Sequence, residues 1–311
     1  IIITGYDDVY DALAHTASGT ATGVNEVNLN AGLQFATSYA DAPGGTTAWT
    51  FDGGLNYNSQ NGTANVKIAK AKQVISWNTP NKIVYGTLLN TDQLNAVVSG
   101  IAGGSASGLL SYNVNIGDRL NAGSHQLSVT AAATTNYEEA TKTVNLQVDK
   151  ANQTISWATP SAIAYPAALS TIQLNASVSG VSGGSQAGQL TYSPAIGVIL
   201  NAGLQTLTVT ATETENYNEA TTSVSLQVDK GTPVINCNTP AGITYGTLLS
   251  DVQLNATSGI AGTFSYLPVA GTLLEAGDEQ ELIVNFTPAD ANNYKGGSAK
   301  VKISVAKADA I

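Results

Sequence analysis

One cysteine, no methionine and two histidines in 311 residues exclude much chemistry before any pattern is read. Cys237 alone can form no intrachain disulfide, so packing and hydrogen bonds must hold the fold. Charged residues are 11% of the chain, against about a quarter in ordinary globular proteins. Lys and Arg together number 12 and nowhere cluster. A nucleic-acid partner would need a basic stripe to neutralise phosphates, and there is none. The formal net charge of −10 is repelled by an anionic membrane surface. No run of roughly 18 apolar residues offers a membrane-spanning helix. Gly-x-Ser-x-Gly, a Walker loop and His-Glu-x-x-His are all missing. There is no initiator Met or signal peptide before Ile1-Ile2-Ile3, so the sequence reads as a mature form or an excerpt.

What is present is apolar and neutral-polar. Hydrophobic residues make up 43%, enough to build cores, and Thr, Ser, Asn and Gln must cover the surface. That surface, with the scarcity of Cys and Met, suits a secreted or cell-surface β-protein in an oxidising exterior.

Internal repetition dominates the pattern. Gln73-Val74-Ile75-Ser76-Trp77-Asn78-Thr79-Pro80 returns as Gln153 to Pro160 and again, diverged, as Pro233 to Pro240. Trp77, Trp157 and Cys237 fall at a spacing of 80 residues. Gln-Leu-Asn-Ala recurs at Gln93, Gln173 and Gln253, and Tyr85, Tyr165 and Tyr245 recur as well. Asn-Ala-Gly stands at Asn121 and Asn201, with Glu275-Ala276-Gly277 as its third copy. Asn-Tyr returns at Tyr57, Tyr137, Tyr217 and Tyr294, and Leu55 to Trp77 aligns without gaps on Thr135 to Trp157. The chain therefore divides into four domains: 1–71, diverged, then 72–150, 151–230 and 231–307. Residues 308–311 begin a further linker.

Within a unit the hydrophobic period is two. His125 to Thr130 and Lys142 to Val148 alternate polar with apolar, as half-buried antiparallel strands do. Gly103-Gly104-Ser105, Gly183-Gly184-Ser185 and the Thr-Pro segments punctuate turns. The second unit reads as strands at 73–77, 82–85, 92–99, 109–114, 124–132 and 141–149, with a short one near 117–121. Such short strands with closely spaced turns predict an all-β chain, a tandem array of four immunoglobulin-like antiparallel β-sandwich domains. A closed barrel is the alternative.

Ile243 to Thr247, the Gln-Leu-Asn-Ala segments, Leu200 to Gly203 and Asn216-Tyr217 resemble the bacterial immunoglobulin-like repeats of large surface proteins and adhesins. The resemblance covers 72–307. Residues 1–71 resemble the related Tyr-Asp-Gly type of surface repeat through Gly5-Tyr6, Val9-Tyr10-Asp11, His15, Gly19 to Gly23 and Pro43 to Thr46. They depart from it at Asp8 and Ala12, where Gly is usual, which bears on a local turn. Both resemblances imply extension, display or adhesion, with no catalytic residues.

The joins Ala69 to Lys72, Val148 to Ala151 and Val228 to Gly231 contain no Gly/Ser spacer, so limited bending is expected. Four domains with strands of this length would span on the order of 100–150 Å as a rod. The final Ala-Lys-Ala-Asp-Ala-Ile matches the linker Ile68 to Ala71, and Ile1-Ile2-Ile3 reads as a strand arriving from a preceding linker. One block of a longer repetitive polypeptide or filament is the expectation.

Each candidate site has a plainer role. His125 opens a strand where the sister copies carry Gln205 and Glu279, so it reads as a solvated position. His15 follows Asp11 by four residues and reads as a surface pair or turn bond. Cys237 reads as a small buried hydrophobe without a neighbouring base. Trp77 and Trp157 read as core or interdomain packing rather than a sugar platform. The Asn-Tyr tyrosines are expected to pin the loop before the last strand by a hydroxyl-to-backbone bond. Asp149, Asp229 and Asp290 are the calcium candidates, though no loop has calcium-ligand spacing; ordinary solvated acids and no cofactor are the expectation. Other acidic clusters are Asp7, Asp8 and Asp11, and Glu213, Glu215 and Glu219.

The functional expectation is a non-enzymatic spacer, stalk or fibre segment of an extracellular protein. Its partners would be neighbouring repeats of the same or identical chains. The alternatives are an adhesin module gripping glycan or surface protein, and accessory domains of a larger secreted hydrolase.

Overall fold

A computed structural model describes residues 1–310; Ile311, the last residue of the expected linker, lies outside them. The chain is all-β and carries four immunoglobulin-like sandwiches in tandem, each made of a two-stranded and a four-stranded sheet. Apart from 3-10 turns at Val24–Glu26 and Asn30–Gly32, the described residues contain no helix. They fall into two compact units, Ile1–Ala151 and Asn152–Ile311, each holding two sandwiches.

The second sandwich shows the plan. Val74–Ser76 pairs antiparallel with Val97–Ser99 in the small sheet. The large sheet runs Leu110–Tyr112, Gly123–Ala131, Ala140–Asp149, Ile83–Val84. The first three pair antiparallel. Ile83–Val84 lies parallel to the last strand, so the chain crosses from one sheet to the other within its first few residues. The third and fourth sandwiches repeat this, with Ile163–Ala164 parallel to Ala220–Asp229 and Ile243–Thr244 parallel to Gly297–Ala306. In the first sandwich the parallel pair is longer, Tyr6–Val9 on Gln60–Ala69.

The alternation read from sequence is the alternation of burial. Leu127, Val129 and Ala131 turn inward on one long strand, Val144, Leu146 and Val148 on the next, and Gln126 and Asn145 turn out. Each inward Leu or Val contributes about 1.5–3 kcal/mol of burial. In the third sandwich Leu169, Leu174, Leu207, Leu226 and Val228 form one core. Leu249, Leu254, Leu274, Leu282, Ile303 and Val305 form that of the fourth.

Three expectations change. The strand read at 92–99 begins only at Val97. Asn90 folds the preceding residues into a turn, accepting the amides of Gln93 and Leu94 on its carbonyl and that of Asp92 on its side chain. The short strand near 117–121 is a single bridge between Leu88 and Arg119. In the fourth sandwich the partner of His125 and Gln205 is Gln280 rather than Glu279. A bulge between Gly277 and Gln280 puts Glu279 at φ +60° and adds one residue to that strand. Ala12 adopts the left-handed conformation, at φ +70°.

Candidate functional site

The titratable candidates are dispersed. His15 Nε2 lies 2.8 Å from Asp11 Oδ1, and its ring stacks on Tyr6 with centroids 4.0 Å apart. That bond holds the Asp11 carboxyl below its ordinary value, with the Leu13 amide adding to it and desolvation opposing. Asp7 pairs instead with Lys67 at 3.2 Å, and Asp8 accepts the amide of its neighbour Val9, so the three aspartates do not converge. Asp149 pairs with Lys82 at 2.7 Å, a contact that raises the lysine's pKa. Asp229 accepts a long 3.4 Å bond from Gln227, and Asp290 binds Asn293. Among the described residues no three His, Cys, Asp or Glu side chains gather to hold a metal ion.

His125 Nε2 lies 2.7 Å from the Asn121 carbonyl, and Gln205 Nε2 donates to the Asn201 carbonyl at 2.9 Å. Gln280 makes the equivalent bond to Glu275 at 3.2 Å. This position therefore ties the start of a strand to the turn before it. Cys237 is half-buried rather than enclosed, and desolvation raises its thiol pKa. Trp77 is buried and Trp157 half-buried; their indoles donate to the carbonyls of Gln93 and Gln173, each at 3.0 Å. Each meets a tyrosine edge-on, Tyr112 or Tyr192.

Two buried glutamines had no role in the sequence reading. Gln73 Nε2 donates to the carbonyls of Ala131, Ala132 and Glu138, and its Oε1 accepts the Gly108 amide at 2.9 Å. Gln153 repeats this on Ala211, Thr212, Asn218 and Gly188. Each joins the first strand of its sandwich to both ends of a later hairpin. A polar residue recurring at the head of an apolar motif was the available signal.

The side chains that converge lie where one sandwich meets the next inside each unit. In the first unit Tyr10 and Tyr137 meet edge to face, centroids 5.6 Å apart. Asn136, 2% exposed, accepts the Ala42 amide at 2.9 Å and donates to Asp41 and to Ser105. The linker residue Ala71 exchanges backbone bonds with the same loop, donating to Asn136 and accepting from Glu138. Lys70 Nζ donates to the Thr134 carbonyl at 2.6 Å.

The second unit builds the same joint from different residues. Tyr165 and Tyr294 meet edge to face at 5.1 Å. Asn293 accepts the Ala202 amide at 2.7 Å and donates to Asn201. Gly231 exchanges backbone bonds with Asn293 and Lys295, and Lys230 Nζ donates to the Ala291 carbonyl at 2.6 Å.

The hydroxyls of Tyr57, Tyr137 and Tyr217 bond to the backbone of an earlier loop, which ties their own loop before the last strand to it. Tyr137 accepts the Ile101 amide and Tyr217 the Val181 amide, each at 2.9 Å. The rings lie so close that a Cβ at Gly100 or Gly180 would stand 2.4 Å from them, which fixes glycine there. Tyr57 accepts the Val24 amide at 3.3 Å. Of the other repeated tyrosines, Tyr85 is buried, whereas Tyr245 is 40% exposed.

No family model matches the chain, and no curated protein matches it. Similar solved structures are serial β-domain proteins at very low identity. Sidekick-1 immunoglobulin domains 1–5 are 10% identical, with 99% of this chain and 81% of that one covered at a TM-score of 0.29. Drosophila N-cadherin EC1–4 is 11% identical, with 84% and 82% covered at 0.23. Domains 4–9 of the surface layer protein SbsC are 10% identical, with 92% and 60% covered at 0.21. At these scores the likeness carries nothing about function.

Proposed function

We propose that this chain is a non-catalytic spacer, stalk or fibre segment of an extracellular or cell-surface protein. Its domains would be 1–71, 72–150, 151–230 and 231–307. The observation that supports this is the joint. The same lock of tyrosine pair, buried asparagine, lysine-to-carbonyl bond and backbone bridge is built once in each unit, although Asp41 and Ala71 of the first are Asn201 and Gly231 in the second. A chain that only displayed independent domains would have no use for a buried side-chain amide at the seam, since burying it requires every bond to be made. The short linkers and the scarcity of charge agree with this reading.

Small-angle scattering in dilute solution tests it. A compact globule of this length would have a radius of gyration of about 20 Å. An array held out by its joints would give roughly 30–40 Å, from domains of strand length set end to end. A compact value sinks the reading. Unchanged melting with calcium or chelator is the companion expectation, since the carboxylates at the joints, Asp41 and Asp290, each bond to an asparagine amide, and among the described residues no three acidic side chains gather to ligate calcium.

A further inference from the structure

The four-stranded sheet of each sandwich ends on one side in an edge strand: Leu33–Phe35, Leu110–Tyr112, Leu190–Ser193 and Gly262–Leu267. The last is the longest of these, with six residues. It pairs along its whole length with Gly277–Pro288 and, among the described residues, with no other strand. Just before it, the Ala289 amide donates to the Ala261 carbonyl. Bonded pairs alternate along an antiparallel ladder, so Thr263, Ser265 and Leu267 bond to Thr287, Asn285 and Ile283. The N–H and C=O groups of Phe264 and Tyr266 therefore point out of the edge.

Such edges are ordinarily guarded by a Lys, a Pro, a bulge or an inward charge. Gly262-Thr263-Phe264-Ser265-Tyr266-Leu267 has none of them. The bulge of this sheet lies between Gly277 and Gln280, outside the stretch that pairs with the edge. Glu281 and Lys300, on the strands behind, are paired with each other at 3.0 Å. Two copies of formal net charge −10 can therefore meet here with no like charge on either strand. The side chains are also self-complementary about Ser265. On the core side Phe264 packs on Phe286, centroids 4.9 Å apart, and the Tyr266 hydroxyl accepts the Ala256 amide at 3.0 Å. On the outer side Thr263, Ser265 and Leu267 are exposed, Leu267 at 61%.

We propose that the Gly262–Leu267 edge pairs antiparallel with the same strand of a second copy of this chain, about a two-fold axis at Ser265. The two four-stranded sheets then join into one of eight. Phe264 of each copy exchanges backbone bonds with Tyr266 of the other, and their rings become cross-strand aromatic neighbours twice over. Each exposed Leu267 comes to lie against Thr263 of the other copy. Backbone bonds supply the affinity in such strand addition, and the side chains on alternate positions select the partner. A six-residue strand covers far less than the roughly 800 Å² per partner of a standard interface, so the contact requires high protein concentration. The proposal deepens the fibre-segment reading, and rests on it for the assembly served, by naming a lateral edge through which copies meet.

Disulfide trapping on the full chain tests it, in a Cys237→Ala background. Residues 263, 265 and 267 fall in non-hydrogen-bonded pairs across the new edge, with Cα atoms about 4.5 Å apart, within reach of a disulfide. Ser265→Cys is expected to form a covalent dimer under mild oxidation at least tenfold faster than Ser298→Cys, an exposed position two strands away on the same face. Thr263→Cys should not link to itself, since its two copies stand about 13 Å apart along the strands. Mixed with Leu267→Cys it should link at least tenfold faster than alone. Circular dichroism and melting matching the parent establish that each variant is folded. A Ser265→Cys rate no greater than that of Ser298→Cys overturns the proposal and leaves the edge to a strand of unlike sequence. Self-linking of Thr263→Cys as fast as its linking to Leu267→Cys overturns it as well. Scattering on the dilute, unlinked chain reads the stalk separately, so an extended particle without trapping would defeat only the edge contact.

Discussion

The side-chain amide of Asn136 donates to the carboxylate of Asp41 at 2.6 Å, across 95 residues of sequence. Its oxygen meanwhile accepts the amide of Ala42 beside that aspartate. One buried side chain thus reads two consecutive residues of the preceding sandwich. In the second unit Asn293 reads Asn201 and Ala202 in the same way.

Replacing that amide should loosen the seam while leaving both sandwiches folded. Asn136→Ala strands the Ala42 amide and is expected to cost about 1–3 kcal/mol. Native-state hydrogen exchange at Ala42 should accelerate well beyond that at Leu127 in the core. Equal protection of Ala42 in the variant and the parent would show that the bond does not hold the joint.

The glutamine clamps should matter more to each sandwich than their surface-like residue type suggests. Gln73→Ala removes the partner of the buried Gly108 amide and the two N–H donors shared among three carbonyls, for an expected loss of about 2–4 kcal/mol. Gln153→Ala should match it within the spread of such values. Urea melts of the two variants check this, and a change below about 0.5 kcal/mol in both would refute it.

Acid should weaken the second joint through Asp290. The Asn293 side-chain bond is the main cause holding its carboxyl below the ordinary 3.8; desolvation opposes, and the Asn293 and Asn292 amides and Lys230 assist. A carboxylate with a lowered folded pKa contributes stability that is complete above its unfolded value and lost as pH falls through the folded one. The stability difference between the parent and Asp290→Asn should therefore be constant from neutral pH down to about 4 and shrink below it. A difference that does not change with acid would contradict the assignment.

Cys237 should be a sluggish thiol. Desolvation alone raises its pKa above the ordinary 9.0. Alkylation by iodoacetamide at mildly alkaline pH should run several-fold slower than for a free cysteine, and its rate should keep climbing at pH values where the free thiol levels off. A rate equal to that of the free amino acid would mean that the thiol is not shielded.

The fold was legible because strand chemistry is local. Inward Leu and Val at every second position of 124–130 and 142–148 mark their own faces, and the 80-residue return of Trp77 at Trp157 sets the unit. The turn at Asn90 is hidden in the sequence because Gln93 to Val98 keeps a strand-like pattern while the Asn90 side chain captures the backbone first. The place of Glu279 is hidden because a one-residue bulge shifts the register without changing the strand-like character of the residues around it. The joint was half legible. The recurrence of Asn-Tyr was plain, but its contacts with Tyr10 and Asp41 come from another sandwich, and short-range patterns do not reveal which distant residue a side chain will meet.

The parallel pairing of each sandwich's early segment with its last strand governs how it meets a pulling force. Tension at the two ends of a sandwich drags these strands past one another lengthwise, so their bonds are loaded together in shear, where an antiparallel edge would peel open one bond at a time. Tyr6–Val9 keeps four residues in this clamp, Tyr6 to Val9 on Val66 to Ala69, while Ile83–Val84 keeps two. Drawn between the tips of a force probe, the first sandwich should be the last to give way.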